Sequence, residues 1–93
     1  MREKWIEQQL VKAVKDIGGI ALKIVSSGLD GMPDRLILLP GRKLAFVEVK
    51  APGKALRPLQ EKRKRQLESL GFLVFCLDHI EQIGGILREI QAS

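Results

Sequence analysis

The sequence predicts an α/β fold in which a small mixed β-sheet is flanked by helices, in the order αβββαβα. Short runs rich in β-branched and apolar residues alternate with segments whose apolar residues recur every three or four positions. The turn Pro40-Gly41-Arg42 joins two of the strands into a hairpin. A helix separates the last two strands, which indicates a parallel, right-handed crossover. With 93 residues, the chain is expected to form one domain, residues 1–93.

The first helix is predicted over residues 2–17 and ends at Gly18-Gly19. Its apolar stripe consists of Ile6, Leu10, Ala13, Val14 and Ile17. Glu7 lies at the edge of that stripe. The periodicity alone favours a solvated acid there, stabilised by the helix dipole.

Three strands follow, over residues 20–25, 34–39 and 43–50, and the second has apolar residues on both faces. This pattern is typical of a central strand that is covered on both sides.

The hairpin turn determines which residues of the second and third strands face each other. With three loop residues, Leu36 faces Phe46 and Asp34 faces Glu48, and Leu38 likewise faces Leu44. A two-residue loop would shift the pairing and move Asp34 to the other face. The matching of apolar residues favours the first register.

The second half of the chain starts with an exposed basic loop, residues 51–57. Pro58 is then suited to begin a helix that runs to Leu70 and ends at Gly71. The inward positions of this helix are predicted to be Leu59, Leu67 and Leu70. Residues 62–65 of this helix are all basic, and at least half of them are expected to form a solvated helix face.

A wholly apolar fourth strand is predicted over residues 72–77, with Cys76 as a small buried hydrophobe. The final helix begins at Asp78 or His79 and continues to Ile90, and His79 is expected at the surface. The apolar stripe of this helix consists of Ile80, Ile83, Ile86, Leu87 and Ile90.

The composition indicates the class of binding partner and the cellular compartment. A net charge of +5 and a pI near 9.7 indicate a polyanionic partner, most simply nucleic acid, although a basic surface also serves solubility. The single cysteine excludes an intramolecular disulfide and fits a reducing compartment. No apolar run or signal peptide indicates a membrane, so we expect a cytoplasmic protein.

The third strand ends in a charged pair. Its alternation places Glu48 and Lys50 on one face, and burying such charges is costly unless they pair or bind an ion. Asp34 opposite Glu48 would bring the Cβ atoms of the two acids about 5 Å apart, and carboxylates that close repel unless a cation or proton lies between them. Such hard oxygens suit Mg²⁺ or Mn²⁺, with the backbone carbonyl of Val49 as a third ligand.

A metal ion held by two acids beside an ammonium group suits the attack of water on a phosphodiester. Lys50 could orient or deprotonate that water, or offset charge on the phosphate. The alternative is a simple ion pair of Lys50 with Glu48 or Asp34 at a strand end. The position of Asp34 opposite Glu48, after a Gly-x-Pro turn, favours the functional interpretation.

Three segments together resemble the active-site motif of the PD-(D/E)XK nuclease superfamily. They are residues 31–34 (Gly-Met-Pro-Asp), 46–50 (Phe-Val-Glu-Val-Lys) and 56–60 (Leu-Arg-Pro-Leu-Gln). More narrowly, the chain resembles a stand-alone VRR-NUC domain over essentially its whole length. The resemblance implies a restriction-endonuclease-like core and a divalent-metal-dependent DNA endonuclease.

The resemblance also implies roles for individual residues. Asp34 and Glu48 match the metal-binding acids, and Lys50 matches the catalytic lysine. Gln60 matches an active-site glutamine near the scissile phosphate or the attacking water. Glu7 matches a first-helix acid that is an extra metal ligand, directly or through water, which reverses the interpretation from periodicity.

Contacts with DNA are expected along the basic segments, and by resemblance at Ser27 and Gly28. The candidates for contacts with the DNA backbone are Lys43, Lys54, Arg57, Lys62, Arg63 and Arg65. The resemblance implies a homodimer that resolves four-way junctions in a bacterial cell or a phage-infected host. Excess apolar surface is expected on the last helix and the fourth strand.

Two alternative functions remain open. One is a nuclease for flaps, nicks or duplex DNA that acts with a partner protein. The other is a non-catalytic DNA-binding module, and the complete set of Asp34, Glu48 and Lys50 argues against it.

Overall fold

A computed structural model describes residues 2–25 and 28–93 of the chain. The helices are α1 (Glu3–Asp16), α2 (Pro58–Ser69) and α3 (Ile83–Ala92), and a short 3-10 turn, Ile80–Gln82, precedes α3. The strands are β1 (Ile20–Lys23), β2 (Arg35–Leu39), β3 (Lys43–Val49) and β4 (Leu73–Leu77). The predicted order αβββαβα is confirmed.

The strands form a four-stranded sheet in the order β1-β2-β3-β4. The pairs β1–β2 and β2–β3 are antiparallel, whereas β3 and β4 are parallel and joined through α2. In the hairpin, Leu36 pairs with Phe46 and Leu38 with Leu44, so the predicted register is confirmed. Gly41 and Arg42 of the turn have φ values of 82° and 65°, which allow the chain to reverse within it.

Several helices and strands are shorter than predicted. β1 ends at Lys23 and β2 begins at Arg35, so Asp34 lies just before its strand. Asp34 nevertheless continues the ladder, because the Ile24 N–H donates to its carbonyl at 2.8 Å. The final helix begins at Ile83, five residues after the first predicted start, because the 3-10 turn comes first.

One face of the sheet carries the main core, where α1 and α3 pack. The apolar stripes predicted for both helices are largely confirmed, although Ile17 at the end of the first is 37% exposed. The core side chains that are fully buried include Ile6, Leu10, Val14, Ile37, Val47, Leu77 and Ile90. His79 is exposed, as predicted.

The opposite face of the sheet is covered in part by α2, which packs against β4. The prediction for its inward residues was wrong in two positions, because Leu59 is 42% and Leu70 67% exposed. Gln60 and Arg63 are buried instead, together with Leu67. The helix is rotated toward polar partners, since both buried polar side chains find hydrogen bonds in the fold.

The excess apolar surface lies only in part where the sequence suggested. The apolar residues of α3 are buried, but Phe72, the first residue of the predicted fourth strand, is 42% exposed. Ile20 and Leu22 of β1 are 57% and 45% exposed and were not predicted to be. Cys76 of β4 is half-buried rather than fully buried, and burial raises the pKa of its thiol. In the part of the chain that the structure describes, no helix could cross a membrane.

Candidate active site at the ends of β2 and β3

The start of β2 and the end of β3 bring the two predicted acids together. Asp34 precedes β2, and its Oδ2 accepts a hydrogen bond from the Val49 N–H at 2.9 Å. Glu48 is the next-to-last residue of β3. The register that pairs Arg35 with Val47 therefore continues to Asp34 and Glu48, as the hairpin turn predicts.

Glu48 is buried, with 6% of its surface exposed. Its Oε2 accepts a hydrogen bond from Gln60 Nε2 at 3.0 Å and lies 3.7 Å from Lys50 Nζ. The second oxygen, Oε1, is buried and has no hydrogen-bond partner in residues 2–25 and 28–93. A buried carboxylate oxygen without a partner costs on the order of 1–3 kcal/mol, so a ligand for it is expected.

The surroundings of Glu48 shift its titration toward the protonated form. Burial is the main cause, and repulsion from Asp34 adds to it, so the pKa of Glu48 rises to about 7. Lys50 lowers this pKa, whereas a side-chain hydrogen bond with Asp34 and, to a lesser extent, the charge of Glu3 raise it. A cation beside both acids would reverse the effect, because it favours the ionised carboxylates.

A small cavity adjoins the buried carboxylate. Its volume is about 10 Å³, roughly the space of one water molecule or ion. The residues that line it are Gly31, Pro33, Glu48, Leu56, Gln60, Lys64, Val74 and Phe75.

These features fit a divalent metal ion. Asp34 and Glu48 supply hard oxygens, and Glu48 Oε1, to which no described residue donates a hydrogen bond, supplies a coordination position. Val49, whose N–H holds Asp34, brings its own backbone to the same place. No cluster of three or more Asp, Glu, His or Cys side chains with metal-binding geometry occurs among the described residues, so the remaining ligands would be backbone oxygen and water.

Glu7 does not join this pair of acids. Its Oε2 accepts a 2.7 Å hydrogen bond from Arg35 Nε, and both side chains are largely buried. Arg35 is adjacent to Asp34 in the chain, so its side chain points to the α1 side of the sheet and Asp34 to the α2 side. Another acid of the first helix, Glu3, raises the pKa of Glu48. The placement of Glu7 as a metal ligand is therefore not supported.

Gln60 lies in the site as predicted and has two structural tasks. Its Oε1 accepts the Arg57 N–H at 2.9 Å, which caps the start of α2. Its Nε2 donates to Glu48, so the amide links the helix end to the carboxylate. The orientation of Glu48 thus depends on α2 as well as on β3.

The loop before Asp34 is fixed by contacts with α2. The guanidinium of Arg63 donates from Nε to the Asp30 carbonyl at 2.9 Å. Gly31 has a φ of 81°, and a Cβ there would lie 2.7 Å from the Leu59 carbonyl oxygen. The backbone of this turn therefore approaches α2 more closely than any side chain would permit.

The predicted DNA-binding residues divide into two groups. Gly28, Lys54, Arg57, Lys62 and Arg65 are exposed, and Ser27 lies outside the described residues. Arg65 also forms an ion pair on α2, with its Nη1 3.5 Å from Glu61 Oε2.

Two other predicted DNA contacts, Lys43 and Arg63, form hydrogen bonds within the fold. Arg63 is 9% exposed and holds the loop rather than facing solvent. Lys43 begins β3, at the end of the strand opposite Glu48, and its Nζ donates to the Ser93 carbonyl. Five residues of strand place it about 17 Å from Glu48 along the sheet.

Lys64 is a site residue that the sequence interpretation missed. It lines the cavity beside Glu48, and its Nζ lies 3.1 Å from Glu68 Oε2. It follows Gln60 by four residues, so both lie on the same face of α2. This spacing was the available signal, and the basic run around Lys64 obscured it.

The fold and the paired acids together define a small nuclease domain with a restriction-endonuclease-like core. A phage protein described as "Putative nuclease p44", from Acyrthosiphon pisum secondary endosymbiont phage 1, is 50% identical over 78 residues, which are 84% of each chain. A solved structure described as a "VRR_NUC domain" matches with a TM-score of 0.87 and 25% identity, over 92% of this chain and 94% of the other. No protein-family model matches the sequence. The chain belongs to the VRR-NUC family of nucleases.

Proposed function

We propose that this nuclease is a Mg²⁺- or Mn²⁺-dependent endonuclease that hydrolyses phosphodiester bonds in branched DNA. The observation that carries the proposal is the pair of Asp34 and Glu48, with one buried Glu48 oxygen that has no hydrogen-bond partner among the described residues. A plain structural ion pair would not need two adjacent acids, since the second acid raises the pKa of the first. A metal site does need them.

Asp34, Glu48 and the Val49 carbonyl would hold the ion. When bound, it would lower the pKa of a water molecule and stabilise charge that develops on the phosphate. Gln60 keeps Glu48 in place through its 3.0 Å hydrogen bond, so the carboxylate is already oriented before substrate arrives.

Lys50 follows the end of β3, with its backbone held by the hydrogen bond from its N–H to the Leu77 carbonyl at 2.9 Å. Its side chain is 14% exposed, and its ammonium group lies 3.7 Å from Glu48. A cation in this position offsets negative charge on the scissile phosphate and can orient the attacking water.

Contacts with the DNA backbone are proposed for the exposed basic residues near the site. Lys54 and Arg57 lie in the segment between β3 and α2, and Lys62 lies on the exposed side of α2. Arg57 also borders an open groove with Asp30 and Gln60. Such contacts position the strand without reading its sequence.

A homodimer would allow paired cuts in a four-way junction. The face of the sheet that carries Glu48 also exposes Ile20 and Leu22, which pair with the half-buried Leu38 and Leu36. An exposed apolar surface is a candidate for the interface of a two-fold dimer, in which the same patch of both subunits meets. The cytoplasm of a bacterial cell or a phage-infected host is the proposed location, in keeping with the phage source of the relative.

The first experiment is cleavage of labelled four-way junction, flap, nicked and linear duplex DNA in Mg²⁺, Mn²⁺ or EDTA. Wild type is compared with Glu48→Gln and with the control Glu61→Gln, which changes an exposed acid of α2. Paired symmetric nicks in the junction that require metal, and that are lost in Glu48→Gln alone, would support the proposal. Metal-dependent cutting of another substrate would support the proposed metal site but contradict the proposal that the substrate is a four-way junction. Binding without any cutting would leave a DNA-binding module.

The dimer is tested separately by light scattering at micromolar concentration. Leu22→Asp should give a monomer, whereas Leu70→Asp, at a 67% exposed position at the end of α2, should not. A monomeric wild type would contradict paired junction cutting.

A further inference from the structure

A second basic site lies on the α1 side of the sheet, outside the candidate active site. It is a groove of about 460 Å³ between α1 and the ends of β1 and β2. The residues that line it are Lys4, Glu7, Gln8, Val11, Lys23 and Arg35.

The charges in the groove do not cancel. Glu7 and Arg35 neutralise each other through their 2.7 Å ion pair, and Arg35 Nη1 also donates to the Ala21 carbonyl at 3.1 Å. This leaves Lys4 and Lys23, both exposed, and neither has an ion-pair partner within residues 2–25 and 28–93. Two uncompensated cations from different elements therefore border one groove, where an anion would be attracted to both.

The groove lies next to the paired acids. Lys23 is directly opposite Arg35 in the β1–β2 ladder, and Arg35 follows Asp34. Paired residues in such a ladder are about 5 Å apart and consecutive Cα atoms 3.8 Å, so the backbone of Lys23 is within about 10 Å of that of Asp34. Arg35 and Lys23 point to the α1 side, and Asp34 to the α2 side. A strand of DNA that crosses this end of the sheet would meet the acids first and the groove next.

We propose that Lys4 and Lys23 form a phosphate-binding groove for the DNA segment beside the bond that is cut, with the Glu7–Arg35 pair as its rigid floor. The inference rests on the proposed DNA cleavage and adds a substrate contact to it. It also gives Glu7 a function, because the ion pair fixes Arg35 and leaves the lysines as the available cations.

The test is DNA binding in EDTA, where cleavage does not interfere. Affinity for duplex DNA is measured by fluorescence anisotropy over a range of salt concentrations, for wild type and for Lys4→Gln/Lys23→Gln. The matched control is Lys12→Gln/Lys15→Gln, which removes the same charge from the distal half of α1. Both pairs are exposed, so thermal denaturation should confirm that each variant is folded.

The groove variant should reduce the slope of log K against log salt by about 2, because each lost phosphate contact contributes about 0.9. The control should leave the slope unchanged. Equal changes in both variants, or no change in the groove variant, would overturn the inference while leaving wild-type cleavage intact. A wild type that neither binds nor cuts DNA would overturn the proposed function as well.

Discussion

Replacement of Glu48 by Gln should stabilise the metal-free protein while it abolishes cleavage. The pKa of Glu48 rises from 4.5 to about 7, mainly through burial and then through Asp34. Each pKa unit corresponds to about 1.4 kcal/mol, so the ionised carboxylate costs the folded state on the order of 3 kcal/mol above pH 7. The amide has no charge to desolvate and still offers an oxygen to Gln60.

The sign of the pH dependence follows from the raised pKa. Well below pH 4.5 the carboxyl is protonated in both the folded and unfolded states, so the wild type carries no penalty. Between pH 4.5 and 7 the unfolded state loses its proton first, and the stability contributed by this group falls as pH rises. The variant should therefore exceed wild type by about 1 kcal/mol at pH 5 and about 3 kcal/mol at pH 8.

Urea denaturation in EDTA at both pH values measures this difference. Glu61→Gln, at an exposed position, should change the free energy of unfolding by less than about 0.5 kcal/mol at either pH. Adding Mn²⁺ should stabilise wild type and not Glu48→Gln, because a ligand stabilises only the state that binds it. A Gln variant that is less stable than wild type at pH 8, or a gain that is equal at pH 5 and pH 8, would refute the assigned environment of Glu48.

Two further predictions concern the loop that positions Asp34, and both are measured by chemical denaturation and cleavage rate. Gly31→Ala should lose more stability than Gly53→Ala, since both glycines have positive φ but only the first approaches the Leu59 carbonyl; equal losses would contradict the close approach. Arg63→Ala should lower the free energy of unfolding by about 2 kcal/mol and slow cleavage, because it leaves a loop carbonyl unpaired. Arg65→Ala, at an exposed position, should lower the free energy of unfolding by less than about 1 kcal/mol. A similar loss in both arginine variants would contradict the role of Arg63 in holding the loop.

Much of the candidate site could be predicted because it depends on local rules. Alternation in β3 places Glu48 and Lys50 on one face, and the length of the turn at Gly41 determines the pairing of Leu36 with Phe46. That register brings Asp34 beside Glu48. Each step needs only the period of a strand and the geometry of a tight turn.

The element order, the hairpin register and the pair of acids could thus be predicted from local patterns. The side of α2 that meets the sheet, in contrast, depends on tertiary packing. The rotation of α2 places Gln60 and Arg63 inward, where hydrogen bonds compensate their burial, and leaves Leu59 exposed. The position of Glu7 also depends on tertiary structure, because its ion-pair partner Arg35 lies 28 residues away in the chain. Such contacts join distant segments, so no local period can reveal them.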